Sequence, residues 1–312
     1  MNHKTQLGSS QLQVHPIGFG ANAIGGHNLY PDLDEEENRQ MVNYIIQSDI
    51  NFIDTAYAYG NGRSEEILGE VIAESGRRES LIIATKASHR RVNGETFHDN
   101  SPDFLKQAVE EALNRLQTDY IDLFYLHYPD KKTPKNEAVA ALQELKEAGK
   151  IKAIGLSNFS LDQIKEANKE GCVEVVQDHY NLLHRDLEQS LFPYLQENNI
   201  SFVPFFPFQS GLLTGKYDGS ESFPDGDLRQ GQADFQGQRF QDNVKKVQQL
   251  KPLAKKYNVS ISNIVLAFYL TRGPIQAVIP GAKKPEQIDN NLKTMQVNLS
   301  KDDIALIDQL FK

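Results

Sequence analysis

The fold this sequence predicts is a closed (β/α)8 barrel, an α/β TIM barrel entered through an N-terminal β-hairpin and carrying two extra helices. Three observations predict it. Short apolar runs alternate with helix-period segments eight times along the chain. The runs are continuously apolar rather than half polar, as expected of parallel strands covered on both faces. The chain has 312 residues, which suits a closed barrel, since such barrels typically need ~250. Composition never shifts enough to mark a boundary, so 1–312 reads as a single domain.

The first element is a polar hairpin over residues 4–14, where alternating residues flank Gly8-Ser9. The eight strand candidates then follow at 16–20, 51–56, 81–87, 121–128, 152–158, 174–180, 201–208 and 277–282. Helix starts between them carry capping signals: Asp34 before Glu35-Glu36-Glu37, Ser64 before Glu65-Glu66, and Ser101-Pro102-Asp103. Helical stretches near 260–272 and 300–311 fall outside the simple repeat and are the two extra helices. One long irregular segment, 209–240, is rich in Gly, Asp, Ser and Gln. It follows the seventh strand and so belongs to the catalytic face.

A content of 39% hydrophobic and 24% charged residues is ordinary for a globular protein and excludes disorder as the default. No apolar run approaches membrane-span length, and residues 1–7 have no apolar core for a signal peptide, so a cytoplasmic protein is expected. A net charge of −9 argues against nucleic acid or anionic membrane as a partner, so any anionic ligand needs a local cationic cluster. The single cysteine, Cys172, reads as a small buried hydrophobe. The eight histidines form no H-x-H or H-E-x-x-H pattern, and no metal site is expected.

Active groups of such a barrel come from the C-terminal ends of its strands. There the sequence gathers an acid, a tyrosine, a lysine and a histidine: Asp54 and Tyr59 after the second strand, Lys86 at the end of the third, His127 at the end of the fourth. A lysine ending a buried strand is costly unless paired, and Asp54 on the adjacent strand is its natural partner. Lysine charge beside Tyr59 should lower a phenol pKa that starts near ~10, giving a general acid at neutral pH. His127 can hydrogen-bond a carbonyl oxygen and hold it facing that phenol.

Asp54 with Tyr59 five residues on, Lys86 in Ile83-Ala84-Thr85-Lys86, and His127 in Asp122-Leu123-Phe124-Tyr125-Leu126-His127 resemble the catalytic tetrad of the aldo-keto reductases. The resemblance runs on through Gly155-Leu156-Ser157-Asn158-Phe159, Gln177, Ser210-Gly211-Leu212-Leu213-Thr214-Gly215-Lys216 and Ile279-Pro280-Gly281-Ala282, covering essentially the whole chain. Within the family the bacterial general-stress branch is most similar. The resemblance implies NADPH-dependent reduction of aldehydes or ketones, with Tyr59 as general acid, Lys86 and Asp54 tuning it, and His127 orienting the substrate.

It also implies the NADP(H) contacts. The match of Gly18-Phe19-Gly20-Ala21-Asn22-Ala23 to G-x-G-x-x-A is a decoy, because no convincing helix start follows it. By resemblance Gly20, Ala21, Asn22 and Asp54 lie near the cofactor, and Ser157, Asn158 and Gln177 hold the nicotinamide carboxamide. Phe205, first of the cluster Phe205-Phe206-Pro207-Phe208, stacks on the ring, where the family commonly has tyrosine or tryptophan. Ser210 and Gly211 also fall among the cofactor contacts, and Lys216 and Arg229 fall where some relatives reach the pyrophosphate. Gly281, Lys283, Gln287, Asn290 and Asn291 fall at the 2′-phosphate end, beside the helix start at Pro285. Many family members have lysine where Gly281 stands and arginine where Gln287 stands, leaving Lys283 and Lys284 as the local positive charge. Substrate loops are expected around Asn28-Leu29-Tyr30, residues 89–96 and residues 209–240, none carrying a charge clamp. The alternative is a nicotinamide-cofactor-binding regulatory subunit without significant turnover, since potassium-channel β subunits share this fold and bind the same cofactor. The intact tetrad, including His127, favours the enzyme.

Overall fold

The computed structural model describes residues 4–30 and 32–312. The first three residues of the segment searched for a signal peptide, and Pro31, lie outside the described residues. Strands β1 (Thr5–Gln6) and β2 (Gln13–Val14) form the expected hairpin, with Thr5 opposite Val14. The barrel strands are β3 (Phe19–Gly20), β4 (Phe52–Asp54), β5 (Ile82–Ala87), β8 (Ile121–Leu126), β9 (Ile151–Ser157), β10 (Val175–His179) and β11 (Ser201–Phe205). They pair in parallel in that order. Between β5 and β8 a separate antiparallel hairpin forms from β6 (His89–Val92) and β7 (Glu95–His98).

The eighth expected strand is not a strand among the described residues. Residues 275–281 instead make isolated parallel bridges, Ile17 with Val278 and Gly20 with Gly281 on one side and Phe202 with Ile275 on the other. These close the ring between β3 and β11. Pro280 explains the reduction: it offers its carbonyl to the Gly20 amide but has no N–H to return to the ladder.

Side chains alternate across each strand, and this places the chemistry. Phe52, Ala84, Leu123, Tyr125, Ala153, Val175, Val203, Ala277 and Ile279 pack into one interior cluster. The hairpin residues Leu7, Leu12 and Val14 join that cluster and so close the N-terminal mouth. Two residues further along the same face come Asp54 after Phe52, Lys86 after Ala84, His127 after Tyr125 and Gln177 after Val175. The interior is thus apolar at the bottom and polar at the C-terminal rim. The barrel is filled tightly enough that a Cβ at Gly155 would strike the Tyr125 ring. The opposite face of the strands, including Ile53, Ile83, Phe124, Ile154 and Val176, packs in a larger cluster against the surrounding helices.

Helix boundaries follow the capping residues. Asp34 accepts from the Glu37 amide to start helix Glu35–Gln47, and Pro102 opens Pro102–Leu116. The helix expected to start after Ser64 begins two residues earlier, at Arg63, because Gly62 in left-handed conformation ends the preceding turn. The two extra helices are Ile261–Tyr269 and Lys301–Leu310, each preceded by a serine capping box. Cys172 is half-buried, not buried, since it sits in the turn before β10 with Sγ near the Glu170 carbonyl. Segment 209–240 is irregular as expected but has a core of its own, where Leu212, Tyr217, Phe235 and Phe240 pack with Val244.

Candidate active site

The four predicted catalytic residues converge at the rim. Register sets Asp54 opposite Ala84 and Lys86 opposite Tyr125, so the acid and the lysine meet inside the barrel. Lys86 Nζ donates to Asp54 Oδ1 and, at 2.8 Å, to the Thr55 carbonyl. Gln177 Nε2 donates to the other Asp54 oxygen at 2.9 Å. Both partners are 1% exposed. Burial pushes the Asp54 pKa up and the Lys86 pKa down, and their mutual attraction opposes both shifts. Asp54 has both oxygens engaged within the chain, so its place in the site is to hold Lys86 and Gln177.

Tyr59 lies beyond β4 on a tight turn. Asn28 clamps this turn, its Nδ2 donating to the Ala58 carbonyl at 3.0 Å and its Oδ1 accepting from the Gly60 amide at 2.7 Å. Lys86 Nζ is 5.4 Å from the Tyr59 ring centre, and His127 stands edge-on to that ring at 6.5 Å between centres. The expectation that lysine lowers the phenol pKa is corrected here. The Tyr59 pKa is raised, first by burial and then by the negative charge of Asp54, with Tyr128 and Tyr30 adding to it. A lysine neutralised by its own carboxylate exerts little net field, and desolvation of the phenolate dominates. Burial also holds His127 well below the usual imidazole range, so the ring is neutral at pH 7.

The predicted cofactor residues lie at the ends of the barrel strands, in the loops beyond them and on helix Pro285–Leu292. Gly20 lies between Asp54 and Gly281 in the sheet, and a Cβ on it would come within 2.8 Å of the Ile279 carbonyl. Ala21 is buried, and its amide donates to the Asp54 carbonyl. The Asn22 amide donates to the Tyr30 hydroxyl at 3.3 Å. Asn158 adopts φ +63° and donates from Nδ2 to both the His127 carbonyl and Ser157 Oγ, at 3.0 Å each. Among the described residues nothing donates to its Oδ1, which fits an amide N–H of a ligand. Phe205 stacks with His179 at 5.7 Å, Phe206 is 46% exposed at φ +52°, and Phe208 packs on the core. The Pro207 carbonyl accepts from Tyr269.

Phe206, Gln209 and Ser210, all at positive φ, form a strained run at the site, a placement common at ligand clamps. Lys216 Nζ sits where a Cβ on Gly211 would come within 2.7 Å, so the missing side chain leaves room for the ammonium beside the loop backbone, a cradle suited to phosphate. Arg229 is held within its own loop, paired with Asp227 and donating to the Tyr217 hydroxyl at 2.7 Å. At the other end, Gln287 Oε1 accepts from the amides of Lys283 and Lys284 ahead of helix Pro285–Leu292. Lys283 Nζ lies 4.1 Å above the Tyr30 ring. The Asn290 amide donates to Ser260 and Ser262, turned toward helix Ile261–Tyr269, and Asn291 is buried. These residues fit a nicotinamide dinucleotide: an amide acceptor, aromatic faces and two lysine-bearing turns in sequence.

Three features escaped the sequence reading: the Asn28 clamp, the Tyr30 contact with Lys283, and an aromatic cluster of His89, His98 and Tyr128 around His127. His89 already falls in the expected substrate loop 89–96, but its packing against His127 has no local sequence signal. Among the described residues no group of His, Cys, Asp and Glu is arranged to hold a metal, and no helix is long and apolar enough to cross a membrane.

Residues 16–312 match the sequence pattern of the Aldo/keto reductase family. The aldo-keto reductase YhdN of Bacillus subtilis is 36% identical over 286 residues, covering 91% of this chain and 86% of its own length. The NADH-specific methylglyoxal reductase of Escherichia coli is 31% identical, with 98% of each chain covered. Among solved structures, a glycerol dehydrogenase from Gluconobacter oxydans superposes with a TM-score of 0.92 at 30% identity, covering 99% of this chain and 95% of its own. Fold, rim chemistry and near-complete sequence coverage agree, and the chain belongs to the aldo/keto reductase family.

Proposed function

We propose that the protein reduces small aldehydes or ketones to alcohols, with Tyr59 as proton donor and NADPH as the preferred cofactor. The observation that carries this reading is the buried Asp54–Lys86 pair set beneath Tyr59, with His127 edge-on to the same ring. When bound, the nicotinamide supplies the hydride that is added to the carbonyl carbon. Tyr59 gives its proton to the carbonyl oxygen. His127, neutral, donates a hydrogen bond to that oxygen and fixes it toward the phenol. Lys86 favours the negative charge left on Tyr59 only at close range, because Asp54 cancels its field further away.

Ser157, Asn158 and Gln177 would hold the carboxamide, and Phe205 would cover the ring. Ser210, Gly211 and Lys216 would face the pyrophosphate, and Lys283 with Gln287 the 2′-phosphate. Relatives differ on the last point: one in Schizosaccharomyces pombe is named for NADP(+), and the Escherichia coli one as NADH-specific. Lys283 supports the NADPH assignment here, as a cation at a turn leading into a helix N-terminus. A cytoplasmic location is proposed with it.

The test is an aldehyde and ketone panel followed at the NADPH absorbance, run with wild-type protein and Tyr59→Phe. The expected outcome is turnover that falls at least about 1000-fold in the variant, while NADPH affinity by fluorescence titration stays within about twofold. Tight NADPH binding without turnover of any panel member would replace this reading with a cofactor-binding regulatory module.

A further inference from the structure

Proton donation by Tyr59 needs its ring held at one angle, and nothing holds it by the tip. Lys86 and His127 lie 5.4 Å and 6.5 Å from its ring centre, and among the described residues no hydrogen bond reaches the phenol oxygen. The direction of the ring is therefore set from its backbone. That backbone is an unusual turn: Gly60, Asn61 and Gly62 follow Tyr59 at φ +67°, +53° and +99°. Three successive left-handed residues, one of them carrying a side chain, persist where neighbouring structure holds them. The amide and carbonyl of Tyr59 bond to Ala56 and Ser64 within the same stretch of chain. The two peptide groups that flank it are taken from outside, by Asn28.

Asn28 Nδ2 donates to the Ala58 carbonyl at 3.0 Å, and its Oδ1 accepts from the Gly60 amide at 2.7 Å. The loop that carries it is itself anchored. The Gly25 amide donates to Asn38 Oδ1 on helix Glu35–Gln47 at 2.7 Å, and the amides of Leu29 and Tyr30 return to the Gly26 carbonyl at 2.9 and 3.0 Å. A Cβ on Gly60 would overlap the Gly25 carbonyl oxygen, so the two loops run backbone against backbone. Arg63, the first residue of the next helix, clamps the far end of the turn to Glu35 with two bonds, at 2.9 and 2.7 Å. Asn28 is exposed, so water could satisfy either peptide group singly. A side-chain amide differs from water in carrying a donor and an acceptor at fixed spacing, which ties both groups into one geometry. The first loop expected to meet substrate thus spends its amide on the Tyr59 turn.

We propose that Asn28 is a positioning residue for carbonyl reduction, holding the turn so that the Tyr59 phenol stays aligned with Lys86 and His127. The proposal rests on the carbonyl-reduction reading. Asn28 acts through the backbone on either side of Tyr59 and makes neither of its hydrogen bonds to a residue assigned to the cofactor. Its loss should therefore lower the rate of the chemical step and leave NADPH binding as it was. The size of the effect follows from how steeply proton and hydride transfer depend on geometry, since a displacement of ~1 Å at a reacting group can cost about 100-fold. A turn still packed against Gly25 and clamped at Arg63 shifts by less than that, and a loss of about tenfold is expected.

The experiment compares wild type with Asn28→Ala, using whichever panel aldehyde the wild-type protein turns over fastest. In Asn28→Ala kcat should fall at least about fivefold, with NADPH affinity by fluorescence titration within about twofold of wild type. Asn28→Asp keeps the acceptor for the Gly60 amide and loses the donor to the Ala58 carbonyl, so its kcat should lie between the two and at least about twofold below wild type. It takes the place of Asn28→Ala should that variant not fold. In cofactor-free protein labelled with 13C-tyrosine, the Tyr59 ring signal, assigned by its absence in Tyr59→Phe, should move in Asn28→Ala, a readout independent of turnover. A smaller loss of kcat, a loss of NADPH affinity equal to the loss of kcat, or an unmoved Tyr59 signal would each overturn the assignment. Absence of wild-type turnover with every panel member overturns the carbonyl-reduction reading and with it the part of Asn28 in the reaction, whereas the ring signal still reports whether Asn28 sets the angle of Tyr59.

Discussion

Replacing Lys86 by methionine removes the one charge that compensates Asp54 in the barrel interior. The ammonium makes two hydrogen bonds, to Asp54 Oδ1 and to the Thr55 carbonyl, and Asp54 then keeps only the Gln177 amide. Breaking a buried ion pair from one side costs ~3–5 kcal/mol. A second route bounds the same quantity. With its partner gone, a carboxyl that is 1% exposed escapes the penalty by taking up a proton, and neutralising a group of reference pKa ~3.9 at pH 7 costs ~4 kcal/mol. For a chain of 312 residues this corresponds to a Tm lower by ~6 °C.

The sign with pH follows from the same mechanism. In the variant the folded-state pKa of Asp54 lies above its unfolded value, so the folded state binds more protons between the two. The loss is then largest at the alkaline end of the range and shrinks as pH falls toward the unfolded pKa, by ~1.4 kcal/mol per unit. Differential scanning of wild type, Lys86→Met and the double variant Asp54→Asn/Lys86→Met between pH 5 and 8 measures it. The double variant should recover most of the loss, because an amide needs no counter-charge. A Tm change below ~1 °C, a change independent of pH, or a double variant as unstable as the single one would each refute the reasoning.

Two further outcomes are expected. Lys283→Ala loses a charge-assisted phosphate contact worth ~1.5–3 kcal/mol but also a cation–π contact with Tyr30 worth ~0.5–1, so KM for NADPH should rise about tenfold and KM for NADH hardly at all. An equal rise for both cofactors would remove Lys283 from the phosphate. Asp234→Ala removes the buried acceptor that takes hydrogen bonds from His184 at 2.6 Å and Gln209 at 2.8 Å and pairs with Arg239, so segment 209–240 should be cut about tenfold faster in limited proteolysis, and NADPH should slow that cleavage in wild type. Equal cleavage with and without NADPH would separate this segment from the cofactor.

The site was legible where period-2 alternation was strong. Asp54, Lys86, His127 and Gln177 each stand two residues beyond an apolar interior side chain, so identifying the strands amounted to identifying the rim. The last strand was overread because 277–282 is apolar, although Pro280 already forbade a full ladder. The β6–β7 hairpin was missed for the opposite reason. Its strands, His89–Val92 and Glu95–His98, are mostly polar and exposed and give no apolar pattern, yet Asn93-Gly94 between them is the strongest short hairpin signal, and both residues adopt positive φ. The small core of segment 209–240 was hidden because Tyr217 is far in sequence from Phe235 and Phe240 and the three follow no period.

What no pattern could supply is the sign of the Tyr59 shift, which depends on the depth of the phenol and on whether the lysine charge reaches it uncancelled. A pH profile decides between the two signs. If Lys86 lowered the phenol pKa, kcat/KM for reduction would fall above a midpoint below 10, and Lys86→Met would move that midpoint up. Burial and the Asp54 charge instead raise the Tyr59 pKa, so the donor keeps its proton throughout the accessible range. The neighbours add no limb: Tyr30 and Tyr128 are also raised, and His127 and His89 are depressed and neutral above their lowered values. Asp54 and Lys86 exchange no net charge while paired. The expected profile of kcat/KM for carbonyl reduction is therefore flat between pH 6 and 9, measured with saturating NADPH. An alkaline limb with a midpoint below 9 that disappears in Lys86→Met would return control of the proton to the lysine.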